Sequence, residues 1–376
     1  MTHRRSTSFP AAALAAAFAA AAIGGVATGA GAAESQNMDQ VIAASGKNDD
    51  KSFCGSKPIV LGIHDGFGIN GWSKTSMASV RSEAAKCANV KQLVVIGQGD
   101  LQKSISDVNG MVAQGIDALV IIPDFGKSQL PSIKAATTAG VKVVPWAADP
   151  GGEGGKDYVT YVDWDVRATG QVLAAWVAKA INDKGDVVFL GGPAGNPVSA
   201  ATLEGIHDVF KDHPGINLVT GYEDWAVSNW DPSQTQKVLS SLLAKYPNIA
   251  AVIDDSGGDA SVAVFRTYEA ANRPLVPLAT FEGNVLACEY AKIKPKHPGL
   301  ELATISGRNW TGRVAARKAI AAAQGLPENE PSIYKLPLFE DTLGGLAPQC
   351  DPKQAPDASL SAKLSPEERE TYGKTE

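Results

Sequence analysis

Acidic, amide and tryptophan side chains recur just beyond short apolar runs in this chain. The stretch HDGFGINGWS at 64–73 follows KPIVLGI and carries Asp65, Asn70 and Trp72 among glycines at 62, 66, 68 and 71. Glycines at this density suggest a phosphate loop, but no Lys-Ser or Lys-Thr follows them and no G-x-G-x-x-G is present. Further along come Asp100 in GQGD, Trp146 and Asp149 in PWAAD, DWD at 163–165 and Asn196 in GGPAGNP. EDWAVSNWD holds Trp225, Trp230 and Asp231, and DDSGGD at 254–259 holds Asp255. FEGN supplies Glu282 and Asn284, and GRNW supplies Arg308, Asn309 and Trp310. Paired carboxylates such as DWD or DDSGGD are what a glycosidase would use. With five histidines in the chain, no serine-elbow motif and no metal-spaced histidine cluster, catalysis is the least favoured reading, and no catalytic residue, metal ligand or cofactor is assigned.

Six of the seven tryptophans occupy these loops, and only Trp176 falls in a helical pattern. A single tryptophan is more simply a packing residue, so it is the recurrence in one kind of place that points to a ligand. Flat aromatic faces alternating with Asp, Asn, Glu and Arg suit a molecule with apolar C–H faces and hydroxyl edges, that is, a sugar or polyol. Asp65 either faces that ligand or only organises its loop through backbone hydrogen bonds. His64 is expected to pack or bond locally.

The apolar runs are the elements that must position these loops. Strands are expected at 58–63, 92–97, 118–122, 141–146, 158–162, 187–191, 216–221, 250–254, 275–280 and 302–306, apolar on both faces as covered parallel strands are. Helical stretches such as SMASVRSEAAKC and VRATGQVLAAWVAKAI lie between them. The alternation means βαβ units and parallel sheets, whose ligands bind beyond the carboxyl ends of the strands. The Gly-rich DPGGEGGKD at 149–157 reads as a crossing between a first domain at 57–147 and a second at 158–279.

The N-terminus carries Arg4 and Arg5, then an Ala-rich apolar stretch and small residues, the pattern of a secretory signal peptide over 1–33 cleaved after Ala32 or Ala33. Of 34 Lys and Arg, two lie in that segment, leaving 32 against 40 Asp and Glu, a net charge of −8. That balance argues against nucleic acid or an acidic membrane surface as partner. Cys54, Cys87, Cys288 and Cys350 are an even set in an exported chain, which favours two disulfides. Sequence order suggests Cys54–Cys87 and Cys288–Cys350, with two other connectivities open. The polar, Pro-containing tail at 346–376 is expected to be loosely ordered.

The order of units over about 57–323 resembles the periplasmic solute-binding proteins of sugar ABC transporters, the type I, ribose-binding-like group. GDLQKSISDVNGMVAQGIDALVIIP at 99–123 is the most specific match. NGWSKTSMASVRSEAAKC at 70–87, PAGNPVSAATLEGIHDVFKDHPGI at 193–216, NWDPSQTQKVLSSLLAKYPNIAAVI at 229–253 and LATFEGN at 278–284 add to it. The resemblance implies an α/β fold of two doubly wound parallel-sheet lobes joined by three hinge segments, with a ligand cleft between them. It implies an N-terminal lobe of 57–147 plus 280–307 and a C-terminal lobe of 148–279 plus 308–345. It further implies a monomeric receptor in the periplasm that delivers a monosaccharide or polyol to an ABC-transporter membrane permease. The alternative is a ligand receptor for chemotaxis or a sensor kinase.

The ligand set expected from that resemblance and from the loops begins with Asn70, Trp72, Asp100, Trp146, Asp149 and Asn196. It continues with Trp230, Asp255, Glu282, Arg308, Asn309 and Trp310. The sequence departs from ribose binders where Ala147 and Ala148 replace an Asp-Arg pair, where Ala200 replaces an Arg, and where Glu282 replaces an Asp. Those departures argue against ribose itself.

Overall fold

The computed structural model describes residues 50–68 and 70–374; the expected signal peptide lies outside them. Two parallel sheets form. The smaller has the order β2-β1-β3-β4 from β1 (Ile59–Asp65), β2 (Val90–Ile96), β3 (Ala118–Ile122) and β4 (Lys142–Pro145). β5 (Asp163–Trp164) stands outside both sheets. The larger sheet contains β6 (Gly185–Gly191), β7 (Ile216–Leu218), β8 (Ala226–Val227), β9 (Ile249–Asp254), β10 (Leu278–Phe281) and β11 (Leu302–Ile305). Its order is β13-β11-β10-β9-β6-β7, with β8 also on β6 and β13 (Leu338–Asp341) as its antiparallel edge. β12 (Ile333–Tyr334) pairs with β5. The central strands β3, β10 and β11 are buried along their whole length, as strands covered by helices on both faces must be.

The smaller sheet is dressed by α1 (Gly71–Ala84), α2 (Leu101–Ala113) and α3 (Leu130–Thr138), and the larger by α4 (Val166–Ala180), α5 (Pro197–Phe210), α6 (Pro232–Lys245), α7 (Gly258–Ala270) and α8 (Asn284–Ile293). Polar residues at the ends of strands explain why these helices start where they do. Asn70, Asp100, Asp165, Asn196 and Asp231 each cap a helix with a side-chain oxygen that accepts from a backbone N–H of the first turn, worth about 1 kcal/mol apiece. The disulfides are Cys54–Cys87 and Cys288–Cys350. The first ties the entry to β1 to the exit of α1; the second ties α8 to the segment beyond β13.

Three expectations need correction. YVTYV at 158–162 is not a sheet strand: Val159 N donates to Val143 O and Val162 bridges Trp146, so this stretch edges the smaller sheet. The chain therefore crosses to the larger sheet at 163–165, not at 149–157. The late segments are exchanged as well. β10 pairs with β9 and β11 with β10 in the larger sheet, whereas α9 (Thr311–Gln324) packs on α1, β3 and β4. A buried apolar strand carries no mark of which sheet it joins, and that pairing is decided by contacts distant in sequence. Segments 163–165, 306–310 and 333–334 are the three hinges.

The third correction concerns the tail, which is ordered through Lys374. Asn284 N donates to Ala358 O and Val285 N to Pro356 O, so its first part is bound to the start of α8. Its end forms α10 (Pro366–Tyr372), closed by a capping box of Ser365 and Glu368, which lies on α1. Polar composition hid this because its anchors are chiefly hydrogen bonds and one disulfide, with Ala362 and Leu364 forming a small apolar cluster with Ala78 against which Tyr372 packs.

Candidate functional site

A cavity of about 250 Å³ opens between the carboxyl ends of the two sheets, a little below the usual size for drug-sized ligands. The smaller-sheet lobe supplies Phe67, Asn70, Trp72 and Asp124 to it. Asp65 Oδ1 accepts from Phe67 N at 2.9 Å and Gly68 N at 2.8 Å, so Asp65 organises the loop. Gly68 has φ +67 and a Cβ there would stand 2.6 Å from Ile96. This is why the loop is glycine-rich: it turns tightly against β2 before α1 begins. Asn70 caps α1 through Ser73 N at 2.8 Å and is exposed at the rim. Trp72 donates from Nε1 to Gly307 O at 2.6 Å, which fixes its ring.

The larger-sheet lobe contributes Asn196, Trp230, Asp255 and Glu282. Asp255, after β9, accepts from Ser199 Oγ at 2.6 Å and Trp230 Nε1 at 2.7 Å. Burial pushes its carboxyl up to about 7 against those two hydrogen bonds. Gly192 is required here, since a Cβ would lie 2.3 Å from the Trp230 ring. Asn196 caps α5 through Val198 N at 2.8 Å. Glu282, 5% exposed, accepts from Gly307 N at 2.7 Å, Ser361 N at 3.0 Å and Ser361 Oγ. Burial raises its carboxyl and these bonds offset part of the rise.

Arg308 lies between the walls in the hinge, 8% exposed, with φ +56. Its guanidinium stands 3.8 Å from the Trp164 ring, 4.5 Å from Phe281 and 5.1 Å from Trp72, a cation–π arrangement on three faces. Among the described residues no atom accepts from its buried Nε. Burial lowers it to about 10, opposed by the charges of Asp163, Asp255 and Asp124. Asp124 itself is held well above the usual carboxylate range by burial and by neighbouring Asp65.

Of the twelve expected ligand residues, Asn70, Trp72, Asn196, Trp230, Asp255, Glu282 and Arg308 line the cavity, and five do not. Asp100 is an exposed cap that accepts from Lys103 N at 2.7 Å. Trp146 is buried behind Trp72, ring centroids 6.1 Å apart. Asp149 accepts from Gly151 N at 2.7 Å within its own turn. Asn309 donates to Trp72 O at 2.9 Å and Ser76 Oγ at 2.8 Å, and Trp310 packs edge-on to Tyr334. Trp146 and Asn309 support Trp72 without facing the cavity, whereas Asp100 and Asp149 order their own loops. Phe67, Asp124, Asp357 and Ser359 line the cavity and were not expected to. Asp124 follows β3 and was open to the same strand-end rule as the others. Asp357 and Ser359 come from the tail, which no strand announces. Among the described residues no group of three or more His, Cys, Asp or Glu could hold a metal ion.

Two α/β lobes, three hinges and a polar-aromatic cavity at facing strand ends define a two-lobed fold with a cavity between its lobes. The periplasmic binding protein domain matches over residues 65–326, and the chain belongs to that family. It is 29% identical over 168 residues to the ribose import binding protein of Bacillus subtilis, covering 45% of this chain and 52% of that protein. It is 23% identical over 243 residues to a xylitol-binding protein of Mycolicibacterium smegmatis, covering 64% of this chain and 66% of that one. The chain thus spans about half to two thirds of the length of these relatives. A solved ABC transporter solute binding protein from Mycobacterium smegmatis with bound glycerol aligns with TM-score 0.66 at 20% identity, over 78% of this chain and 98% of that chain. That likeness bears on the fold.

Proposed function

We propose that the protein captures a monosaccharide or polyol in the interlobe cavity and delivers it to the membrane permease of an ABC transporter. In this reading it is exported to the periplasm and works as a monomer. The observation that carries it is Arg308: a buried guanidinium stacked on aromatic rings, lining the cavity, whose Nε has no acceptor among the described residues. Burying such a donor without a partner is costly, and hydroxyl or ring oxygens of a ligand are the acceptors that would satisfy it. Phe67, Trp72 and Trp230 offer flat faces for C–H surfaces, while Asp255, Glu282 and Asp124 take hydroxyl protons. Ala147 and Ala148 line the same cavity, which supports a ligand other than ribose. The names of the ribose and xylitol relatives support the ligand class.

The test is a thermal-shift panel of the protein lacking residues 1–33 with xylitol, glycerol, D-ribose, D-xylose and D-galactose. A ligand that binds only the folded state raises Tm by mass action. At least one member is expected to do so and to be recovered chemically unaltered by mass spectrometry. A converted product would replace this reading with an enzymatic one.

A further inference from the structure

The tail from Asp351 to Lys374 is bound to both lobes and also lines the cavity. Its beginning is fixed to the larger-sheet lobe by Cys288–Cys350, by Asn284 Nδ2 to Asp351 O at 2.8 Å, and by the backbone bonds of Ala358 and Pro356 to the start of α8. Ser361 continues on that side, bonded to Glu282, and also meets Ser306 Oγ of the hinge at 2.7 Å. The next residue is on the other side: Ala362 O accepts from Arg313 of α9, and Ala362 and Leu364 pack on Ala78 of α1. Adjacent residues are thus held by opposite lobes, with one peptide unit, about 3.8 Å of chain, between them.

A second junction lies at the cavity wall. Arg369 of α10, 5% exposed, donates from Nε to Thr75 Oγ1 of α1 at 3.0 Å and pairs through Nη2 with Asp357 Oδ1 at 2.7 Å. Asp357 sits between two residues bound to α8, so this guanidinium joins the lobes. The glycines agree with the path. A Cβ on Gly71 would stand 2.4 Å from Asp357 Cβ, and one on Gly307 would stand 2.5 Å from Ser359 Oγ. Both positions are bare where the tail passes, and Asp357 and Ser359 line the cavity there.

We propose that the C-terminal tail is a latch between the lobes: parting them requires the Asp357–Arg369–Thr75 junction to break, so the tail holds the ligand-free cleft toward closure and adds Asp357 and Ser359 to its wall. The inference rests on the two-lobed cleft and not on which ligand fills it. Hinge segments alone permit lobes of this kind to swing as rigid bodies. A fourth crossing without slack removes part of that freedom.

The test uses ligand-free protein lacking residues 1–33, with nitroxides on Gln98→Cys and Glu223→Cys, exposed positions on opposite lobes, and reads the distance distribution by pulsed electron resonance. Two variants probe the latch: Arg369→Ala, and a flexible eight-residue Gly-Ser insertion after Ser361 that leaves both docking surfaces intact. Both are expected to add a longer-distance population absent from the parent. Glu370→Ala, which loses only exposed pairs to Lys74 and Lys374, is expected to match the parent. Should Arg369→Ala unfold, the insertion variant decides alone. An insertion variant with the parent's distribution overturns the proposal.

Discussion

The two walls of the cavity are built in opposite ways. On the smaller-sheet side the loop at 64–73 turns on glycine, Asp65 Oδ1 and Asn70 Oδ1 accept from backbone N–H groups, and Asn70 still lines the cavity. What that wall offers a ligand is chiefly aromatic surface, from Phe67 and Trp72. On the larger-sheet side buried carboxylates stand at strand ends, each held by several donors: Asp255 by Ser199 and Trp230, Glu282 by Gly307 and Ser361. The smaller-sheet wall therefore supplies mainly shape, with Asp124 as its carboxylate, and the larger-sheet wall supplies mainly acceptors whose orientation is fixed before the ligand arrives. Arg308 in the hinge is the donor that both walls share.

If this division is right, removing Arg308 should cost most. Hydrogen bonds to charged groups contribute about 1.5–3 kcal/mol each, so Arg308→Ala is expected to weaken binding about a hundredfold or more by calorimetry. Glu282→Gln comes next, at roughly ten- to a hundredfold, with a fall in Tm because the Ser361 contacts of the tail are disturbed too. An equal loss from both changes would erase the distinction between wall and hinge. Trp72→Ala should cost about tenfold or less, since ring packing beyond area burial is worth about 0.5–1.5 kcal/mol. It should also reduce the change in tryptophan fluorescence that ligand addition is expected to cause.

A pH series sharpens the comparison on the larger-sheet side. Asp255 has its folded pKa raised to about 7 from 3.8, so the folded state binds its proton more tightly than the unfolded chain. Its contribution to stability is complete below about pH 4 and is lost as pH rises through about 7. Asp255→Asn is therefore expected to flatten the decline in Tm between pH 4 and 7. Asp254, raised to about 6, and Glu340, raised to about 7, keep part of the slope. The smallest effect is at Asp100: Asp100→Ala should lower stability by about 1 kcal/mol, the worth of a helix cap, and leave affinity unchanged.

Asp100 also shows why part of the site was illegible in the sequence. Asx residues after strands have two uses in this fold, capping the next helix and facing the cleft. Asn70 and Asn196 do both, whereas Asp100 and Asp231 are caps, and only the direction of the loop separates them. Tryptophans carry the same ambiguity: Trp72 and Trp230 line the cavity, while Trp146 packs behind Trp72 and Trp310 packs on Tyr334. The strands were largely readable because burial on both faces leaves an unbroken apolar run. Their assignment to lobes was not, because LATF and LATI would suit either sheet equally. The tail was hidden for a different reason, since a segment held by hydrogen bonds and a disulfide has the composition of a loose one.

The central claim is that the interlobe cavity is the ligand site and that Arg308 is its shared donor. The most direct measurement is titration calorimetry of wild type and Arg308→Ala with whichever panel compound raises Tm. The account predicts one site per chain in wild type and heat too weak to fit in the variant, with both proteins folded by circular dichroism. Equal affinity in a folded Arg308→Ala protein would contradict it.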